Sequence, residues 1–206
     1  MRITIILAHP RAGSFNHALA AQTRIVLEGN GHAVTLHDLY VEGFDPVLPD
    51  SELAACNEPP SQIEAHCREI ADAQGIVVIH PNWWGQPPAI LKGWVDRVLR
   101  VGVAYRFREG DSGEGVPEGL LKAESAVVFN TTNTAKEREM EVFGDPLETL
   151  WKNCILRFCG VRNVERRSYG VIVTSTAEER AAWLEDAACV VRRLFPAETA
   201  APVGMR

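Results

Sequence analysis

No stretch of the chain approaches the roughly 20 apolar residues that a membrane-spanning helix needs. The short apolar run Ile3 to Ala8 is closed by His9-Pro10-Arg11 with no small-residue cleavage site, so neither an anchor nor a secretory leader is expected. Lysine and arginine form no block or stripe and the net charge is -6, which leaves no basic footprint for a nucleic acid. The five cysteines, Cys56, Cys67, Cys154, Cys159 and Cys189, are odd in number and irregularly spaced. With no Cys-x-x-Cys pair and no zinc-like spacing to histidine, they read as reduced thiols of a cytoplasmic protein that needs no metal. Gly-x-Gly-x-x-Gly and Gly-x-x-x-x-Gly-Lys-Ser/Thr are both missing, which excludes a Rossmann dinucleotide loop and a P-loop. There is no internal repeat.

What is present is an ordinary globular balance, 46% hydrophobic and 23% charged over 206 residues. That length suits one domain over residues 1-206 that buries about 70% of its unfolded surface, with a frayed tail after Pro196. Strands and helices alternate. Arg2 to Ala8, Ala33 to His37, Gly75 to His80, Ser125 to Thr131 and Ser168 to Val173 read as strands, most of them apolar and β-branched as in a buried sheet. Between them lie helices over about Asn16 to Glu28, Ser61 to Ala73, Pro88 to Arg100 and Pro146 to Phe158, with Thr176 to Phe195 closing the chain. Ser61 with Glu64 three residues later has the form of a capping box. Gly110 to Gly119 reads as a surface loop. Five strands alternating with helices predict an α/β fold, a doubly wound five-stranded parallel sheet in three α/β/α layers.

In such sheets ligands bind beyond the carboxyl ends of the strands, where the winding reverses. Three loops fall there. His9 to Asn16 opens a helix, and free N–H groups at a helix start, with Ser14 and Asn16 as further donors, suit an anion. A plain Ser14 N-cap accounts for the same residues. Pro81-Asn82-Trp83-Trp84-Gly85-Gln86-Pro87-Pro88 puts two tryptophans side by side after a buried strand, where both cannot face the core. Such aromatics stack on a flat ligand or line an interface. Thr131-Thr132-Asn133-Thr134 is a dense run of small hydrogen-bonding residues that suits the polar edge of a ring, or an ordinary turn.

With these loops in view the chain closely resembles the NAD(P)H dehydrogenase (quinone) family, which has the flavodoxin-like fold. The matching segments are His9 with Ser14-Phe15-Asn16, Asp38-Leu39-Tyr40, the run Pro81 to Val98 containing Pro88-Ala89-Ile90-Leu91-Lys92-Gly93-Trp94, Ala104-Tyr105, Thr131-Thr132 and Phe158-Cys159-Gly160. The resemblance spans about residues 1 to 195. It implies a bound flavin, FAD first and FMN as the alternative, with NAD(P)H as co-substrate. By position, His9, Ser14, Phe15 and Asn16 would hold the phosphates. Pro81, Asn82, Trp83, Trp84 and Gly85 would line the isoalloxazine, and Thr131, Thr132, Asn133 and Thr134 would face its pyrimidine edge. Tyr105, Phe107 and Phe158 match an apolar slot over the flavin that a second subunit completes, so a homodimer is implied.

The family commonly continues Thr-Thr with Gly-Gly, then a tyrosine and a histidine. Here Asn133-Thr134 replaces the glycines and Phe143 stands in the histidine's place. Asn133 and Thr134 are therefore the candidates for stabilising charge on a reduced flavin. The reaction implied is a two-electron ping-pong exchange, in which NAD(P)H gives a hydride to the flavin and a quinone or similar small acceptor collects it. Reduction of azo or nitro compounds or of free flavin, a flavin-binding regulatory subunit on a membrane transporter, and a flavodoxin-type electron carrier are the alternatives.

Overall fold

The computed structural model describes residues 1–53, 59–108, 110 and 115–197. Five parallel strands form one sheet, β1 (Arg2–Leu7), β2 (Ala33–Asp38), β3 (Gly75–Pro81), β6 (Ser125–Thr131) and β7 (Asn163–Tyr169), in the order β2-β1-β3-β6-β7. A small antiparallel ladder pairs β4 (Tyr105–Arg106) with β5 (Glu118–Gly119). Helices α1 (Phe15–Gly29) and α6 (Ala177–Leu194) cover one face of the sheet. The other face carries α2 (Ser61–Asp72), α3 (Ala89–Val98) and α5 (Pro146–Thr149), which runs into a π-helical segment, Leu150–Arg157. A further short helix is α4 (Lys136–Phe143).

Strand periodicity explains the layers. Side chains alternate across a strand, so in β3 Ile76 and Val78 join one core while Val77 and Ile79 join the other. In β6, Ala126 and Val128 face the first core, Val127 and Phe129 the second. These central strands are buried on both sides and read as continuous apolar runs. No helix among the described residues is long and apolar enough to cross a membrane.

Three expectations need correction. The fifth strand is Asn163–Tyr169, not Ser168 to Val173, and Ile172–Thr174 is a single 3-10 turn. An edge strand has only one neighbour and keeps one side near solvent, so Asn-Val-Glu-Arg-Arg-Ser-Tyr serves where an apolar run is not required. Ser61 is the first helical residue rather than the cap, because the Pro60 carbonyl already accepts from the Glu64 amide at 2.9 Å. The capping box is at Thr176, whose Oγ1 accepts from the Glu179 amide at 3.1 Å while Glu179 Oε2 accepts from the Thr176 amide at 2.8 Å. Finally, the end of the expected Gly110 to Gly119 loop is strand β5, and 109 and 111–114 lie outside the described residues, as do Cys56 and the expected tail from 198 onward.

Candidate functional site

The three loops singled out in the sequence meet. His9, Ser14, Phe15 and Asn16 beyond β1, Pro81, Asn82 and Trp83 beyond β3, and Thr131, Thr132, Asn133 and Thr134 beyond β6 line one cleft of about 480 Å³. It sits beside the β1–β3 junction, where the winding of this strand order reverses. Asn16 is buried and ties two of the loops together, its Nδ2 donating to Thr131 Oγ1 at 2.8 Å. Its Oδ1 is buried without a partner.

Ser14 caps α1 in extended conformation but its side chain makes no capping bond. The hydroxyl instead lies 2.8 Å from His17 Nδ1, and His17 Nε2 lies 3.1 Å from Asp38 Oδ2. Of the two open readings of this loop, the plain side-chain cap is therefore not what is built. His9 Nδ1 accepts from the Arg11 amide at 3.1 Å, and burial pushes its pKa below the ordinary histidine value.

The double-tryptophan loop is a two-residue hairpin. Trp83 and Gln86 exchange both backbone hydrogen bonds at 3.0 Å, and Trp84 and Gly85 at the tip both have positive φ, 57° and 70°. Two successive positive φ values are what a tight primed turn demands. Gly85 fits for a second reason, since a Cβ there would lie 2.6 Å from Pro146 Cγ. Asn82 holds the hairpin, its Oδ1 accepting from the Gly85 amide at 3.0 Å and its Nδ2 donating to Glu139 Oε1 at 2.9 Å. Trp83 faces the cleft, whereas Trp84 is fully exposed and neither it nor Gly85 lines it.

In the third loop Thr132 Oγ1 accepts from the Thr134 amide at 3.0 Å, and Asn133 Oδ1 accepts from the Val173 amide at 3.1 Å. Both bonds shape the turn, so the Thr134 amide is already engaged. The slot residues cluster apart from the cleft. Tyr105 packs edge-to-face on Phe107 and Phe158, with ring centroids 5.8 and 5.0 Å away, and Tyr105 borders a different groove, toward Leu99 and Val103.

Besides Gly13 of the first loop, four further cleft residues were missed by sequence reasoning: Arg11, Ile172, Val173 and Arg180. Arg11 was legible as the one cation in the anion loop. Ile172 and Val173 were hidden by the misplaced fifth strand, and Arg180 comes from the first turns of α6, distant in sequence, with its guanidinium braced on Ser175 Oγ at 2.7 Å and the Ile172 carbonyl at 3.2 Å. Glu139, buried under Asn82, is not legible because the sequence reading places no helix between Thr134 and Pro146, where α4 stands. Beneath the floor of the cleft His80 is fully buried, its pKa lowered to about 4 by loss of water.

A second histidine cluster lies on the other face. His37 Nδ1, Glu42 and His66 Nε2 converge closely enough to hold a metal ion. Trp94 Nε1–H, however, donates to His66 Nδ1 at 3.0 Å, so Nε2 carries the proton and donates to Glu42 Oε2 at 3.1 Å. The set is arranged as a hydrogen-bonded cluster.

Residues 1–190 match the family model described as "Flavodoxin-like fold". An NAD(P)H oxidoreductase of Haemophilus influenzae is 36% identical over 193 residues, 91% of this chain and 93% of that one. The solved NAD(P)H:quinone oxidoreductase from Methanothermobacter marburgensis superposes with a TM-score of 0.79 at 28% identity, covering 94% of this chain and 96% of that one. A likeness of fold alone, TM-score 0.75 at 14% identity over 95% of this chain and 100% of the other, extends to an FMN-dependent NADH-azoreductase of Bacillus anthracis in complex with FMN. With its strand order, its cleft beyond β1, β3 and β6 and these relatives, the chain belongs to the flavodoxin-like fold family, among its NAD(P)H oxidoreductases.

Proposed function

We propose that the cleft binds a flavin nucleotide and that the protein passes reducing equivalents from NAD(P)H through it to quinones or similar small acceptors. The observation that carries this reading is the convergence of the loops beyond β1, β3 and β6 on one cleft lined by Ser14, Asn16, Trp83 and Thr131 to Thr134. Phosphate belongs at the start of α1, where Ser14 and the helix amides meet it and Arg11 and Arg180 supply positive charge. Trp83 then offers a face to the ring system, and Thr131 to Thr134 turn polar groups toward its edge.

FMN is the form we propose. FAD, which the resemblance put first, has no support of its own, whereas the azoreductase of the same fold is named as an FMN complex. A bound flavin supplies the two-electron chemistry. The chain supplies position and charge, with the Asn133 side of the third loop and the Thr134 hydroxyl as the polar groups for the developing negative charge.

Tyr105, Phe107 and Phe158 reach a flavin only in a second copy of the chain. We therefore place them in the slot over the partner subunit's cofactor, in a homodimer. Exposed Trp84 and the half-exposed Phe107 suit such a contact. The free thiols of Cys67, Cys154, Cys159 and Cys189 agree with a reducing cytoplasm.

The test is a visible spectrum of the purified protein before and after anaerobic NAD(P)H, followed by cofactor extraction. Flavin bands that bleach with NAD(P)H and return with quinone are the expected result, with FMN released on extraction. A colourless protein that takes up no added flavin overturns the reading. A flavin that NAD(P)H leaves oxidised removes the reductase and leaves the carrier or regulatory roles.

A further inference from the structure

The double-tryptophan hairpin is held from outside the cleft, by the stretch that joins α4 to α5. Pro146 abuts its tip, since a Cβ on Gly85 would lie 2.6 Å from the proline Cγ, and Glu139 reaches its base through Asn82. One orientation of the Asn82 amide satisfies both of its neighbours. Oδ1 accepts from the Gly85 amide at 3.0 Å and Nδ2 donates to Glu139 Oε1 at 2.9 Å. A flipped amide would set its NH2 against the Gly85 N–H and its oxygen against a carboxylate. Glu139 therefore decides which way Asn82 faces, and Asn82 decides whether the hairpin tip is tied back.

This bracket is itself anchored to the sheet. Gly144 and Asp145 both have positive φ, 69° and 47°, and turn the chain so that the Asp145 amide donates to the Glu139 carbonyl at 3.1 Å. Arg166 on β7, its side chain 6% exposed, donates to Asp145 Oδ2 and, at 2.9 Å, to Asn130 Oδ1 on β6. Glu139 is also the sole buried residue of α4, whose Met140, Val142 and Phe143 are exposed. Burying a carboxylate costs free energy unless a donor meets it, and Asn82 is the donor here. An apolar side chain would hold α4 to the body without that cost, so packing alone does not call for glutamate.

We propose that Glu139 is a positioning residue, which by orienting Asn82 fixes the hairpin that presents Trp83 to the ring of a bound flavin. This rests on the reading of the cleft as a flavin site. Glu139 lines the hollow beside the cleft and Asn82 the cleft itself, so the effect passes through Asn82. A hairpin free to shift must be ordered when the ligand binds, which lowers affinity and loosens the seating of the ring together.

Fluorescence titration of the flavin-freed full chain with FMN, with the visible circular dichroism of the bound ring as a second readout, tests this. Glu139→Leu removes the acceptor and should weaken FMN binding by about tenfold, as one preorganising hydrogen bond is lost, and change the dichroism of the ring. Asn82→Asp breaks the link by a second route, setting two carboxylates face to face while one oxygen still accepts from Gly85. Asn82→Asp combined with Glu139→Gln restores the link with donation reversed, because the introduced amide now donates to the introduced carboxylate. Asn82→Asp combined with Glu139→Leu has the same charge and no bond, and is the control. The first double variant should bind FMN within about threefold of the unaltered protein and recover its dichroism, while the control stays weak. Unaltered affinity and dichroism in Glu139→Leu, whatever its melting temperature, overturns the proposal and leaves the flavin site intact. A reversed pair no better than its control does the same. Failure of the unaltered protein to bind FMN overturns the proposal together with the reading beneath it.

Discussion

Trp151 Nε1 donates to His80 Nε2 across 2.8 Å, joining the π-helical segment to the end of β3 directly under the cleft. The other ring nitrogen lies 2.8 Å from the Pro81 carbonyl, and Asn130 Nδ2 also lies 2.8 Å from Nε2, so the imidazole is locked as the neutral Nδ1–H tautomer among three fixed partners. A proton on Nε2 would point at the indole N–H.

That lock makes stability depend on pH. His80 is held to about 4 and His66 likewise, against 6.5 for free histidine, chiefly by loss of water. The unfolded chain therefore binds these protons first, so stability is complete above 6.5 and declines as pH falls toward 4. Each histidine contributes up to about 1.4 kcal/mol per pH unit within that window. Urea unfolding at pH 7, 6 and 5 should show the midpoint dropping at each step. A flat profile over that range would contradict the buried neutral state.

The Trp84 backbone is left-handed and its side chain fully exposed, so the isolated subunit gains nothing for the strain. Trp84→Asn, with a residue that tolerates this conformation, should raise subunit stability by about 1 kcal/mol. If the exposed indole serves a second copy, the same change weakens self-association. Thermal melting and sedimentation measure the two effects separately, and unchanged association would remove Trp84 from the dimer contact.

Gly93 lies where α3 crosses the loop after β2, and a Cβ there would come 2.2 Å from the Pro46 carbonyl oxygen and 2.4 Å from its Cα. Backbone cannot yield as a flexible side chain can. Gly93→Ala should cost about 2–3 kcal/mol, read as a lower urea midpoint. Normal stability in this variant would show that the loop is free to move aside.

Arg97 and Glu52 form an ion pair with side chains only 3% and 4% exposed. Glu52→Gln leaves the guanidinium buried with the exposed Asp45 as its remaining acid, and should cost about 3 kcal/mol. Replacing both, as Glu52→Leu with Arg97→Met, should recover most of that. A double variant as weak as the single one would mean the pair contributes more than mutual neutralisation.

The motif Lys92-Gly93-Trp94 shows how far the sequence could be read. It marked the family, yet its physical basis is tertiary. Gly93 allows a backbone to pass, and buried Trp94 fixes the proton of His66. The central strands were legible because a parallel strand covered on both faces must be apolar throughout, and that requirement is local. The edge strand Asn163–Tyr169 was not, because one open face relaxes the requirement and the apolar Val171-Ile172-Val173 nearby drew the assignment away.

Alternation of strands and helices determined the fold class, and with it the ends of β1, β3 and β6 as the place for a ligand, because connections that leave neighbouring strands toward opposite faces open a crevice beyond their carboxyl ends. Only the folded chain decided which members of those loops face the cleft. Trp83 turns in and Trp84 out because a two-residue hairpin leaves no other arrangement, and Arg180 arrives from a helix 164 residues away from Asn16. The Ser14–His17–Asp38 line likewise depends on β1 and β2 being neighbours, a pairing made by backbone hydrogen bonds that no side-chain pattern records.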